Sequence, residues 1–321
     1  MVPDPVTSAP PPAAASPGED EITGEDLMRW RRQQLALGGS AADLDWLLDL
    51  GGGIPWPRLQ ACRLHPERMH TLARGRGTLA SLWRRHIEAD VPLQYLIGHC
   101  PWRDLDLLVA PGVLIPRQET ELLADLALAC FPPADRSTAP LLWADLGTGS
   151  GCLAIALARA LPAGRGLAVE VSPGALRLAH LNLRRADVSG RVTLLRGSWW
   201  GPLRPWWGRL DLVVANPPYI PTPLLRQLHP VVRDHEPRRA LDGGKDGLAS
   251  IRAVVAGARR GLAPGGHLLI EHHHDQSEAV LELLRGAGLT AVRHHRDIEG
   301  VRRFASASRA IDGEAAPPPS P

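Results

Sequence analysis

LLWADLGTGSGC, residues 141–152, is the stretch on which the fold turns. It joins an apolar run, short enough for a buried strand, to Asp145 and then to Gly147, Gly149 and Gly151, with CLAIALARAL following as a helix. Glycines so spaced permit a tight turn and let a ligand lie against the backbone at a helix start, in the crevice beyond the strand ends. The dinucleotide form GxGxxG would need Gly or Ala at Cys152, and the Gly-Lys-Ser/Thr of a phosphate-binding P-loop is missing. The next apolar run, GLAVEV (166–171), reaches Glu170, whose carboxylate can accept both hydroxyls of a ribose.

Working outward, VTLL (192–195), LDLVVAN (210–216) and GGHLLIEH (265–272) alternate with helix-like stretches. This βα order predicts an α/β fold, a mostly parallel sheet with helices on both faces. Two late strand candidates, near 290–295 and 301–307, would close the sheet in antiparallel fashion. Upstream, WRDLDLLVAPGVLI (102–115) reads as a β-hairpin around Ala110-Pro111-Gly112, within a connector placed at 98–117. Residues 21–97 carry no strand signal and read as a small helical domain. Ser40 with Asp43 makes a near capping box there, Gly51 to Gly53 stop the helix that follows, and further helices are expected over Pro57–Leu64 and Pro66–Asp90. The catalytic α/β part is placed at 118–311. Residues 1–20 and 312–321, rich in Pro, Ala and Ser, read as disordered tails.

Of 321 residues, 44% are apolar and 22% charged, which excludes a chain disordered throughout and leaves room for two domains. Lys and Arg number 36 against 34 Asp and Glu, a net +2, so this is no polycationic nucleic-acid binder. Four cysteines stand without a CxxC pair, and no apolar run approaches the ~18 residues of a membrane span. No signal or transit pattern opens the chain, so a cytoplasmic protein without a structural metal is expected. His272-His273-His274 reads as a strand-end segment, since no carboxylate or cysteine spacing beside it suits a metal.

Asn216-Pro217-Pro218-Tyr219 follows the fourth apolar strand directly. Two prolines remove two backbone donors and stiffen the loop, leaving carbonyls free to accept. The Asn216 side-chain oxygen and the Pro217 carbonyl can each accept one N–H of a planar NH₂ group, while Tyr219 stacks on it. Acceptors placed so stabilise positive charge on a nitrogen attacking an electrophilic methyl, and no strong base is required.

An acid, GxGxG and a second acid some 20 residues later resemble class I S-adenosylmethionine-dependent methyltransferases. With Asn216 to Tyr219, the sequence more narrowly resembles the peptide chain release factor N5-glutamine methyltransferases, the HemK/PrmC type. The likeness runs over about 22–309, through VPLQYLIG (91–98), GVLIPRQETELL (112–123), VSPGALRLAHLN (171–182), EPRRALDGGKDGL (236–248) and GGHLLIEHHHDQSEAV (265–280). It implies methyl transfer from S-adenosylmethionine to the side-chain amide of the Gln in the Gly-Gly-Gln loop of class I release factors. It further implies cofactor contacts from Asp145, Gly147, Thr148, Gly149, Gly151, Glu170, Ser198, Trp199 and Asn216, and substrate contacts from Asn216, Pro217, Pro218, Tyr219 and Trp102. Departures are Gln118 for Pro, Glu170 for Asp, Ser198 for Asp in the adenine-contacting GSWWGPL (197–203), and Trp102 for Phe. The chain is expected to act as a monomer, with the helical domain reading the release factor body and no stable nucleic-acid partner. Competing readings are an adenine N6-methyltransferase, a ribosomal-protein glutamine methyltransferase and a catalytically silent binding module. The near-neutral charge disfavours the first, the LIPRQETE and NPPYIP segments the second, and the intact motifs the third.

Overall fold

The computed structural model describes residues 20–311 and divides between Ile97 and Gly98 into two compact units. The tails expected at 1–20 and 312–321 lie outside the described residues, except Asp20, which opens a strand.

The first unit packs helices Gly24–Leu35, Ala41–Trp46, Trp56–Ala61, Arg76–Ala89 and Leu93–Ile97 around Leu27, Leu44, Leu48, Leu79 and Trp83. It is not wholly helical. Strand β1 (Asp20–Thr23) pairs antiparallel with β2 (Met69–Leu72), so the helix expected over Pro66–Asp90 is a strand followed by a helix that starts at Arg76. The reason is local. In β2, His70 and Leu72 turn inward while Met69 and Thr71 face water, an alternation only four residues long and too brief to stand out in sequence.

The second unit opens with a hairpin, β3 (His99–Trp102) against β4 (Leu105–Leu108). Its turn is Arg103-Asp104, with Arg103 at φ 55°, and not the Ala110-Pro111-Gly112 stretch, which forms a separate turn closed by Val113 N–H to the Ala110 carbonyl. Seven strands then form one sheet: β5 (Leu142–Leu146), β6 (Arg165–Glu170), β7 (Val192–Arg196), β8 (Leu210–Ala215), β9 (Leu262–Glu271), β10 (Thr290–Arg296) and β11 (Arg302–Ser308). Their spatial order is β10-β11-β9-β8-β5-β6-β7. The five from β9 to β7 are parallel, and β11 and β10 close the edge in antiparallel fashion as the late strand candidates suggest.

Both faces are covered, which is why the central strands read as nearly unbroken apolar runs. Trp143, Leu212, Val214 and Leu269 meet helices Thr120–Ala129 and Cys152–Ala160 on one face. Ala144, Leu146, Val213, Ala215 and Ile270 meet helices Ala249–Gly261 and Ser277–Gly286 on the other. The chain leaves β7 at one edge and returns to β8 beside β5, so strand order reverses at β5. Ligands bind at such a switch point, beyond the carboxyl ends of the strands. Among the described residues no helix is long and apolar enough to cross a membrane.

Trp143 on β5 is fully buried, and its registered partner on β6 is Gly166. A Cβ there would stand 2.1 Å from the indole ring. Gly166→Ala is therefore expected to destabilise the α/β unit by about 1–3 kcal/mol through overpacking, read as a lowered urea midpoint. An unchanged midpoint would show that the indole has room to retreat.

Candidate functional site

The glycine loop is fixed from three sides. Gly147 and Thr148 donate backbone N–H groups to the Val169 carbonyl at 2.9 and 3.0 Å, pinning the loop to β6. The Thr148 hydroxyl donates to Asp145 Oδ2 at 2.6 Å. Gly149 N–H donates to Glu170 Oε2 at 3.1 Å. Gly147 and Gly151 sit at φ 82° and 87°, a region that disfavours any side chain, and a Cβ on Gly151 would come to 3.4 Å from Ala179. Asn182 locks the far side, its Nδ2 donating to the Ser150 carbonyl at 2.9 Å and to the Leu108 carbonyl at 3.0 Å.

Beyond the loop is a cavity of about 270 Å³. Of the residues singled out in the sequence, Gly147, Thr148, Gly149, Glu170, Ser198, Trp199, Asn216 and Pro218 line it. Glu170 Oε1 also accepts from Ser172 N–H at 2.8 Å, so each carboxylate oxygen holds one backbone donor and keeps lone pairs for a ligand. Trp199 adopts φ 46°, a rare conformation for a bulky residue, and its ring lies across from Gly147. Trp200 is keyed against Gly257 and Gly261 of helix Ala249–Gly261 and donates its Nε1–H to the Val254 carbonyl at 2.7 Å.

Asp145, Gly151, Pro217, Tyr219 and Trp102 stand behind the wall. Asp145 is buried with Oδ1 unpartnered, and burial pushes its carboxyl up to about 7. Trp102, expected at the substrate pocket, is buried among Leu105, Leu123 and Leu153 and donates its Nε1–H to the Arg117 carbonyl at 2.8 Å. It is thus placed to steady Arg117, which does line the cavity and pairs with buried Glu236 at 2.7 Å.

Asn216 leaves β8 with its Nδ2 donating to Thr120 Oγ1 at 3.0 Å. The Thr120 hydroxyl donates to Glu271 Oε2 at 2.7 Å, and the Tyr219 hydroxyl donates to Glu271 Oε1 at 3.2 Å. The Tyr219 carbonyl accepts from Gln276 Nε2 at 2.8 Å, which anchors the far end of the loop. Among the described residues, neither Asn216 Oδ1 nor the Pro217 carbonyl has a hydrogen-bond partner. Two free acceptors on consecutive residues of one stiff loop, Asn216 in the cavity wall and Pro217 just behind it, suit a group with two N–H donors.

Thr120, Glu271, Arg117, Glu236 and Asn182 escape the sequence reading. Glu271 carries the signature that marks Asp145 and Glu170, an acid at the end of an apolar run. Cys152 also lines the cavity, where burial, with the charge of Asp145 nearby, pushes its thiol up to about 12.

Residues 124–223 match the family model described as "Methyltransferase small domain". A release factor glutamine methyltransferase of Prochlorococcus marinus is 50% identical over 292 residues, 90% of this chain and 98% of its own length. One of Gloeobacter violaceus is 44% identical over 287 residues, 86% of this chain and 94% of its own. Among solved structures, the hMettl16 catalytic domain in complex with MAT2A 3′UTR hairpin 6 matches with a TM-score of 0.51, covering 75% of this chain and 83% of that one at 14% identity, a likeness of fold alone. Sequence identity at this level over nearly the whole length, on a class I methyltransferase sheet with its cavity at the switch point, places the chain in the release factor glutamine methyltransferase family.

Proposed function

We propose that this chain methylates the side-chain amide nitrogen of the glutamine in the Gly-Gly-Gln loop of class I release factors, using S-adenosylmethionine. The observation that carries the reading is the pair of unpartnered acceptors on one loop, the Pro217 carbonyl and Asn216 Oδ1, with Asn216 in the wall of the cavity that Glu170 and the glycine loop also line.

The residues present fit the cofactor. Glu170 would hold the ribose hydroxyls with the lone pairs its backbone donors leave free, and Trp199 would stack on the adenine beside Ser198. Gly147, Thr148 and Gly149 offer the close backbone approach that the rest of the molecule requires. When bound, S-adenosylmethionine supplies a methyl group made electrophilic by its sulfonium. Asn216 Oδ1 and the Pro217 carbonyl receive the two amide hydrogens and orient the nitrogen. As positive charge develops on that nitrogen, both acceptors are already aligned to stabilise it, and the proton released goes to water. The first unit supplies contact with the release factor body, because a protein substrate needs more surface than one glutamine provides. Release factors work in the cytoplasm, where this reading places the protein.

Radiolabelled transfer to purified release factor tests the reading, with the same factor carrying Gln replaced in its Gly-Gly-Gln loop, a ribosomal-protein extract and adenine-containing oligonucleotides as the other acceptors. Label is expected on the unaltered factor alone, and label on the altered factor or only on nucleic acid overturns the reading. Asn216→Ala is expected to lower turnover by about 10²–10³-fold, comparable to losing one aligned partner of a developing charge, with S-adenosylhomocysteine affinity largely retained. Glu170→Ala should act on the other partner. It removes a charged acceptor, so S-adenosylhomocysteine binding by calorimetry should weaken roughly tenfold to a hundredfold.

A further inference from the structure

Glu271 is the last residue of β9 and is 2% exposed, yet it does not line the cavity. Its two oxygens accept from the Thr120 and Tyr219 hydroxyls. A threonine hydroxyl has one proton. With that proton donated to Glu271, Thr120 presents only lone pairs to Asn216, and only the NH₂ end of the Asn216 amide can face it. The oxygen end is thereby left for the cavity. We propose that Glu271 is a positioning residue for the transfer: through the Thr120 hydroxyl, its carboxylate dictates which end of the Asn216 amide faces the acceptor nitrogen. This rests on the reading above, in which Asn216 Oδ1 receives an N–H of the substrate amide.

The polarity reverses if Glu271 takes up a proton on Oε2, the oxygen that faces Thr120. The neutral acid donates its own O–H to Thr120, whose hydroxyl is then free to donate to a flipped Asn216 through Oδ1. Asn216 would then turn its NH₂ toward the N–H groups of the substrate, donor against donor. Burial pushes the Glu271 carboxyl up to about 7. The groups facing it are Thr120 and Glu119 at the start of helix Thr120–Ala129, Tyr219 from the loop after β8, Arg303 on β11 and Cys152 at the start of helix Cys152–Ala160. The Glu119 charge raises its proton affinity, while the two hydroxyl donors and Arg303 lower it. The carboxylate form, which aims Oδ1 outward, is gained as pH rises through that value.

The test uses the full chain and purified release factor, with kcat and KM followed from about pH 5.5 to 9. In the unaltered enzyme kcat/KM should rise through about 7. Glu271→Gln, which cannot ionise, should lack that rise. Thr120→Val should lower kcat roughly tenfold, the worth of one hydrogen bond, and leave S-adenosylhomocysteine affinity unchanged, while Thr120→Ser restores turnover. A second readout needs no turnover. With ¹⁵N-labelled asparagine, the Asn216 side-chain NH₂ signal should shift with pH in the unaltered protein, stay fixed in Glu271→Gln and lose exchange protection in Thr120→Val. Superimposable pH profiles and pH-invariant NH₂ signals in the unaltered and Glu271→Gln proteins overturn the inference, as does Thr120→Val turnover within about twofold of the unaltered enzyme. If the unaltered enzyme methylates no release factor, the functional reading fails instead, and the NH₂ signals still decide the polarity.

Discussion

Two carboxylates leave water at the carboxyl ends of β5 and β9, and the geometry of the cavity follows from how each is compensated. Asp145 accepts from the Thr148 hydroxyl, and Glu271 accepts from those of Thr120 and Tyr219. A buried carboxyl needs such donors to offset its lost hydration, and the donors here come from the glycine loop, the start of helix Thr120–Ala129 and the loop after β8. Compensating Asp145 fixes the glycine loop. Compensating Glu271 joins the entry of helix Thr120–Ala129 to both ends of the Asn216–Tyr219 loop. Burial raises both carboxyls, each to about 7, against the donors that hold them.

The remaining walls are held by packing and by pairs outside the cavity. Trp200 fills the space over Gly257 and Gly261, and the adjoining Trp199, in a left-handed conformation, lies beside Gly147. Glu236 holds Arg117, and Trp102 holds the Arg117 carbonyl, which brings the connector to the wall. Asn182 bridges β4 and the glycine loop with one side chain. The residues at the surface of the cavity are thus the visible ends of contacts made one layer deeper. A rigid frame of this kind suits chemistry in which placement and prealigned acceptors lower the barrier.

Contiguity decides what can be read from the chain alone. The glycine loop, Glu170 and Asn216-Pro217-Pro218-Tyr219 are local patterns at strand ends, and the parallel sheet shows in the spacing of its apolar runs. Thr120 and Glu271 are 151 positions apart, and nothing in either segment announces that a hydroxyl of one meets a carboxylate of the other. Trp102 illustrates the converse, since the family resemblance implies a substrate contact there, whereas the indole lies in the core. The β1–β2 ladder is invisible for a third reason: each strand is four residues long, and its partner lies across most of the first unit.

Cys152 stands in the wall of a cavity that, on the proposed reading, accommodates an alkylating group. A thiolate there would compete for the methyl and inactivate the enzyme by self-alkylation. Because the nucleophile is the thiolate and not the thiol, a pKa pushed up to about 12 keeps the competing form scarce at neutral pH. On that reading the burial that closes the core beneath the glycine loop also guards against self-alkylation, and it leaves this cysteine a poor handle for thiol-directed probes.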